Sequence, residues 1–169
     1  MTVDKDTTSP LGGRLTIREA QRRDVGIISD LWREMMDYHG EHDSRFRFVS
    51  NVRREVERHI LETIRSRGSR VYVAEVDGSI VGYILGEIHI RKPIYPIGKY
   101  GFVSDISVNA EWRRSGIGRV LVETLLAWFR KEGVTAVELF ILEANPVSTA
   151  FWQSMGFGHY LRLLRLDMT

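Results

Sequence analysis

The stretch Arg113-Arg114-Ser115-Gly116-Ile117-Gly118 constrains the fold of this chain more than any other segment. It separates an apolar, β-branched run at residues 102–108 from residues 118–131, where Leu121, Leu125 and Trp128 form one helical seam with Val122, Leu126 and Phe129 beside it. A strand that turns within a few residues into an amphipathic helix belongs to a layered fold, with the helix packed back on a sheet. Two glycines allow a tight turn and a close approach of backbone to a ligand. The N–H groups that open the helix then converge; with the helix dipole and Arg113, Arg114 and Arg119 they make a place for an anion such as a phosphate. Two familiar nucleotide-binding turns are excluded by detail. Gly118 is followed by Arg119-Val120 where a Walker A loop needs Lys-Ser or Lys-Thr, and the glycines do not have the offsets of a dinucleotide fingerprint. For this segment alone, a connection that uses Gly for its turn and Arg for solubility stays open.

Around this turn the hydrophobic pattern lays out the other elements. Leu15 and Ile17 read as a short strand after Gly12-Gly13, with residues 1–13 as a flexible polar tail. Residues 21–38 carry Val25, Ile28, Leu31, Trp32, Met35 and Met36 at helical spacing, Gly40 ends that helix, and residues 41–49 connect it to the next. A second helix spans residues 51–66, with Val52, Val56, Ile60 and Ile64 on one stripe and Gly68 closing it. Residues 71–76 and 79–90 flank Asp77-Gly78, a hairpin signal because Asp-Gly supplies the positive φ angles of a type I′ turn. Residues 93–98 hold two prolines and read as a loop. After the helix at 118–131, capped by Gly133, come a strand at 136–142, a short helix at 146–155 and a final strand at 158–167. The order β-α-α-β-β-β-α-β-α-β, in one domain over residues 14–169, predicts an α/β (α+β) fold with helices packed on a mixed sheet.

Composition narrows the function classes. The 24 basic residues face 22 acidic ones, for a net charge of +2, which gives little support for a nucleic-acid partner. The chain has no cysteine, so thiolate chemistry, disulfides and thiolate metal sites are excluded, and His39 and His42 lack convincing partners for a metal. No apolar run approaches the roughly 20 residues needed to span a bilayer. The expectation is a cytoplasmic protein with no membrane partner and no metal.

Two motifs in order resemble the GNAT N-acetyltransferase superfamily. Arg113, Gly116 and Gly118 match its Arg/Gln-x-x-Gly-x-Gly/Ala signature after a strand, and residues 105–112 look like its approach to that signature. Asn145, Ala150 and residues 151–157, Phe-Trp-Gln-Ser-Met-Gly-Phe, resemble its second hallmark, with Ala150 one residue nearer Phe151 than the pattern and Ser148 or Thr149 in the earlier slots. The motif-bearing resemblance covers about residues 70–167. It implies a largely antiparallel central sheet with one splayed parallel strand pair, at residues 102–108 and 136–142, and flanking helices. It also implies acetyl-CoA as co-substrate. Ile106, Ser107 and Val108 would border the pantetheine arm, the backbone of Arg113, Arg114, Ser115, Gly116, Ile117, Gly118 and Arg119 would hold the pyrophosphate, and Asn145, Ser148, Phe151 and Trp152 would lie near the cofactor. Asn145 reads equally as a helix cap ahead of Pro146.

The reaction implied is direct attack of a primary amine on the thioester. An alkyl amine with a pKa about 10.4 needs a base near neutral pH. Glu87 and Asp105 are the leading bases and His89 a weaker one, against the plain readings of a strand-end charge for Glu87 and a structural acceptor for Asp105. Many family members carry Tyr where this chain has Trp152, whose indole N–H is no usable acid, so Tyr160, Ser148 or water is left to protonate the thiolate. Tyr160 reads equally as a packed strand residue. The acceptor would meet the first two helices, their connection with Asp37, Tyr38, His39, Glu41, His42, Asp43, Phe46 and Phe48, and the loop at residues 91–100; a small amine, an amino acid, an aminoglycoside-like molecule and a protein N-terminus or lysine all remain open. A homodimer through apolar residues 161–166 is a further expectation from the resemblance. A non-catalytic acyl-CoA-binding module and a nucleotide-binding protein are the competing readings.

Overall fold

In the computed structural model, which describes residues 3–8, 13–48 and 51–168, six strands form one sheet in the order β1-β2-β3-β4-β5-β6. Strands β1 (Val3–Thr8), β2 (Arg14–Glu19), β3 (Ser69–Val76), β4 (Ser79–Ile90) and β5 (Lys99–Val108) pair antiparallel, each with the next. The short strand β6 (Val137–Glu138) runs parallel to β5. Helices α1 (Val25–His42) and α2 (Arg53–Arg65) pack on one face; α3 (Ile117–Lys131) and α4 (Pro146–Ser154) pack on the other. This is the mixed sheet that the element order predicts, largely antiparallel with one parallel pair as the family resemblance implies.

Each face has its own apolar cluster. Ile28 and Leu31 of α1 and Ile60 of α2 meet Val71, Val73, Tyr83 and Leu85, while Leu121, Val122, Leu125 and Phe129 of α3 meet Ala74, Ile84 and Val103. The alternation of β3 and β4 sends successive side chains to opposite clusters, as a sheet covered on both faces requires. The Asp77-Gly78 turn has φ of 50° and 83°, the positive pair expected of the hairpin. At the end of α3 the Gly133 N–H donates to Arg130 O and the Val134 N–H to Phe129 O, so Gly133 closes the helix in a Schellman arrangement.

Three expectations are corrected. Val3–Thr8, assigned to a tail, form an edge strand on β2, while Gly12 and Val49 lie outside the described residues. The strand expected at 136–142 shortens to Val137–Glu138. Residues 158–168 form no strand, and Leu161, Leu163, Leu164 and Leu166 are exposed. The last two corrections share a cause. A strand is made by its neighbour, and past residue 138 the parallel pair offers no ladder on which the apolar alternation of 161–166 can pair.

Candidate active site

The site is built around an irregularity in β5. Leu85 pairs with Asp105 but Gly86 with Val103, so Ser104 is an extra residue, a β-bulge. One inserted residue reverses the alternation of the strand. Above it, the Gly101 N–H donates to Ala136 O on the β6 side; below it, the Asn109 N–H donates to Val81 O on the β4 side. Ile106 and Val108 therefore direct their backbone groups away from β4. On that side β6 pairs only at Gly101 and Phe102, so the two strands part where the bulge begins. The parallel pair is splayed as expected. The edge of β5 below Phe102 is left facing a cleft, with the carbonyl of Val108 taken by Arg113 Nε at 3.1 Å.

The exposed edge leads into the glycine turn. Arg114 has φ 62° and Gly116 has φ 86°, and an added Cβ at Gly116 would meet nothing within 4 Å, so the turn is open outward. Among the described residues, none accepts a hydrogen bond from the N–H of any residue from 114 to 119; the first N–H of the helix region to find a partner is that of Val120, bonded to Gly116 O. Six consecutive donors, three of them in the first turn of a 15-residue helix, are left free with the helix dipole behind them. The side chains of Arg114 and Arg119 are exposed beside them. Phe151 of α4 closes the back of the turn, with an added Cβ at Gly118 falling 3.4 Å from its ring. A run of unused donors one turn beyond an unpaired strand edge fits a ligand whose phosphates are joined to an amide-bearing arm.

Where the strands begin to part, titratable groups gather on the α1–α2 face. Tyr83, Leu85, Glu87 and His89 of β4 share that face. The bulge brings both Phe102 and Asp105 of β5 to it. The Ser104 hydroxyl donates to Glu87 Oε2 at 3.1 Å, and His89 Nε2 lies 3.6 Å from the same oxygen. Asp105 is half-buried and receives no hydrogen bond among the described residues. Burial raises its pKa to about 6; the positive charge of His59 on α2 opposes the rise and the negative charge of Glu87 adds to it. Tyr83 is fully buried, with no partner for its hydroxyl among the described residues, and burial together with the charge of Asp105 raises it well above the usual phenol value.

The structure redistributes several residues expected at the cofactor. Arg113 does not turn its guanidinium to the anion turn. It donates to Glu34 Oε1 at 2.8 Å and stacks over Tyr38 at 5.7 Å, bracing α1 against the end of β5. Ser107 is buried and its hydroxyl donates to Leu31 O, so it too holds α1 to the sheet. Ile117 lies in the core and offers the turn only its backbone. Trp152 is 6% exposed, packed between Phe151 and Phe157 in the core, because the amphipathic α4 turns this position inward. Asn145 is the cap of α4: its Oδ1 accepts the N–H of Ser148 at 3.0 Å. Tyr160 is 69% exposed, away from any packed strand. Phe46 and Phe48 turn to His39 and Trp32 and shape the α1–α2 connection. His59, Tyr83, Ser104 and the rings of Tyr100 and Phe140 were not singled out for the site by the sequence. A signal existed for the bulge: the apolar α3 face of β5 reads Val103, Ile106, Val108, a break in the two-residue period.

A family model described as Acetyltransferase (GNAT) family matches residues 26–157. A mycothiol acetyltransferase of Thermobispora bispora is 33% identical over 89 residues, which are 53% of this chain and 30% of that protein. A mutant BH1408 protein of Bacillus halodurans superposes with a TM-score of 0.81 at 24% identity, covering 90% of this chain and 99% of the other. A Clostridium acetobutylicum protein, described as a predicted acetyltransferase and solved with acetyl-CoA, superposes with a TM-score of 0.76 at 14% identity over 90% and 96% of the two chains. The chain spans less than two thirds of the length of the curated relatives it matches. Among the described residues no helix is long and apolar enough to cross a membrane.

Proposed function

This chain belongs to the acetyltransferase (GNAT) family, and on that premise we propose that it is an acetyl-CoA-dependent N-acetyltransferase acting on a primary amine. The observation that carries the proposal is two sets of free backbone groups one short turn apart: the unpaired edge of β5 at Ile106 and Val108, and the free N–H groups of residues 114–119, with the five N–H groups between them all bonded. In this reading those N–H groups hold the pyrophosphate, with Arg114 and Arg119 adding charge. Backbone groups of Ile106 and the N–H of Val108 bond the amides of the pantetheine arm, flanked by Ser148 and Phe151. Acetyl-CoA supplies an activated acyl thioester, whose place is the apex of the cleft, where the strands part beside Ser104 and Asp105.

Asp105 is the general base. It takes a proton from the incoming ammonium, directly or through one water, so that the amine nitrogen can attack. A carboxyl poised at about 6 is mostly ionised at pH 7 yet basic enough to accept a proton, the balance that general-base catalysis needs. Glu87, tied to Ser104 and close to His89, sets the negative field around it and holds the ammonium before transfer. Tyr160 is exposed without a described partner, so water returns the proton to the thiolate, whose pKa of about 8.5 makes it a tolerable leaving group. The same reading places the enzyme in the cytoplasm, with acetyl-CoA at hand, and uses exposed Leu161, Leu163, Leu164 and Leu166 to join two copies.

Calorimetry with acetyl-CoA, CoA and ATP, followed by thiol release across a panel of amines, tests the proposal. Acetyl-CoA and CoA are expected to bind and ATP to bind far more weakly. A preference for ATP, or acetyl-CoA binding without thiol release to any amine, would overturn it.

A further inference from the structure

The family does not name the acceptor, and the surface beside the cleft apex bears on it. Past the bulge, four rings from three segments form a continuous wall on the α1–α2 face. His89 of β4 lies 5.4 Å from both Tyr100 and Phe102 of β5, and Phe102 meets Phe140 edge-on at 5.3 Å. The arrangement is held from behind. Arg91 stacks on Tyr100 at 4.4 Å and pairs with Glu138, which lies next to Phe102 in the β5–β6 register. Neither helix covers the wall: the residues of α1 and α2 that pack on this face meet Tyr83, Leu85 and the β3 valines, and Phe140 is left 78% exposed.

The charges at this wall are few and placed at one end. Glu138 is neutralised by Arg91, so of the carboxylates on β4, β5 and β6 those left to meet a cation are Glu87 and Asp105, both at the apex. One ammonium satisfies this pair, and these three strands offer a polycation no further carboxylate along the rings. A flat apolar group extending from that ammonium finds ring faces and edges at contact spacing.

We propose that the acceptor is a monoamine carrying an aromatic group a few bonds from its nitrogen, its ammonium at Glu87 and Asp105 and its ring against Phe102 and Phe140. The inference rests on the acetyltransferase reading and narrows it to arylalkylamines. Aromatic contacts of this kind set an expected preference of about tenfold.

Steady-state thiol release with 2-phenylethylamine, n-hexylamine and 1,4-diaminobutane is the test, run on the full chain. The expected result is kcat/KM for 2-phenylethylamine about tenfold above that for n-hexylamine, with the diamine lowest. Phe140→Ala should bring the aryl-to-hexyl ratio close to one, through KM more than kcat, with no change in thermal midpoint because its ring is largely in solvent. Phe102→Leu should lower the same ratio while keeping an apolar side chain in the sheet. A diamine used as well as the aryl amine, or a ratio that Phe140→Ala and Phe102→Leu leave in place, would overturn the assignment while leaving acetyl transfer intact. Acetyl-CoA binding with no transfer to any amine would instead bring down both.

Discussion

Replacing Asp105 with Asn should make the protein more stable and the enzyme far slower, and the pH at which the gain appears identifies the cause. Burial lifts the Asp105 carboxyl from 3.8 to about 6, a difference of about 2 units. The folded state thus holds this proton more tightly than the unfolded chain. Stability is fully present below about 3.8, falls as pH rises towards 6, and is level above it. At 1.36 kcal/mol per unit the ionised carboxylate costs the fold about 3 kcal/mol at pH 8, a ceiling that partial solvent access brings towards 1–2 kcal/mol. Asparagine has nearly the same shape and no charge. Urea unfolding of Asp105→Asn should therefore show a gain of about 1–3 kcal/mol at pH 8 that shrinks to about half a kcal/mol at pH 4. The same variant should lose about a hundredfold or more in kcat, since a positioned base contributes about 10²–10⁴. A gain equal at both pH values would trace the effect to packing. A loss of stability at pH 8 would mean that Asp105 is a bonded structural acceptor, and the argument for a strained base would fail.

The remaining predictions follow from the same geometry. The acidic limb of kcat/KM should sit at about 6, and it should move in opposite directions in two variants: down in Glu87→Gln, which removes a charge that raises Asp105, and up in His59→Gln, which removes one that lowers it. Stopped-flow pH profiles on both variants check the signs, and a common direction would exclude Asp105 as the group observed. Gly118→Asp should weaken acetyl-CoA binding by at least about tenfold in calorimetry, because it sets a negative charge among the donors and a Cβ against the Phe151 ring at 3.4 Å. Asn145→Ala should cost about 0.5–2 kcal/mol in chemical unfolding as α4 loses its cap; a large loss of cofactor affinity without that destabilisation would restore Asn145 to the cofactor site.

What the sequence reveals divides along the range of the interactions involved. The parallel pair followed only from the family resemblance. The glycine turn, α3 and the β3–β4 hairpin were all legible, because local chemistry determines them: Gly116 and Gly78 at positive φ, and apolar seams at a fixed period. Elements that depend on a distant partner were not. Val3–Thr8 carry little apolar signal and become a strand through β2, whereas residues 161–166 carry a strong one and stay unpaired beyond a two-residue β6. Arg113 fails for the same reason. Its signature position was legible, but Glu34, 79 residues earlier, decides where its guanidinium goes.

The choice between Glu87 and Asp105 turns on a single inserted residue. With a regular β5, the pairing of Phe102 with Glu87 would place residue 105 on the opposite face, beside Val103 and the side chains of α3. There a carboxylate would be buried without a substrate to act on, and selection for stability would favour an apolar side chain. The bulge at Ser104 turns Asp105 to the acceptor face and at the same time swings the backbone of Ile106 and Val108 towards the cleft. The proposed base and cofactor edge are therefore one device, set by the register: deleting Ser104 leaves Asp105 opposite Leu85 and Val103 opposite Gly86, and should keep both functions. Loss of amine acetylation with acetyl-CoA affinity retained in that deletion would show that Ser104 serves the base through its bond to Glu87, and would separate the two functions that the register joins.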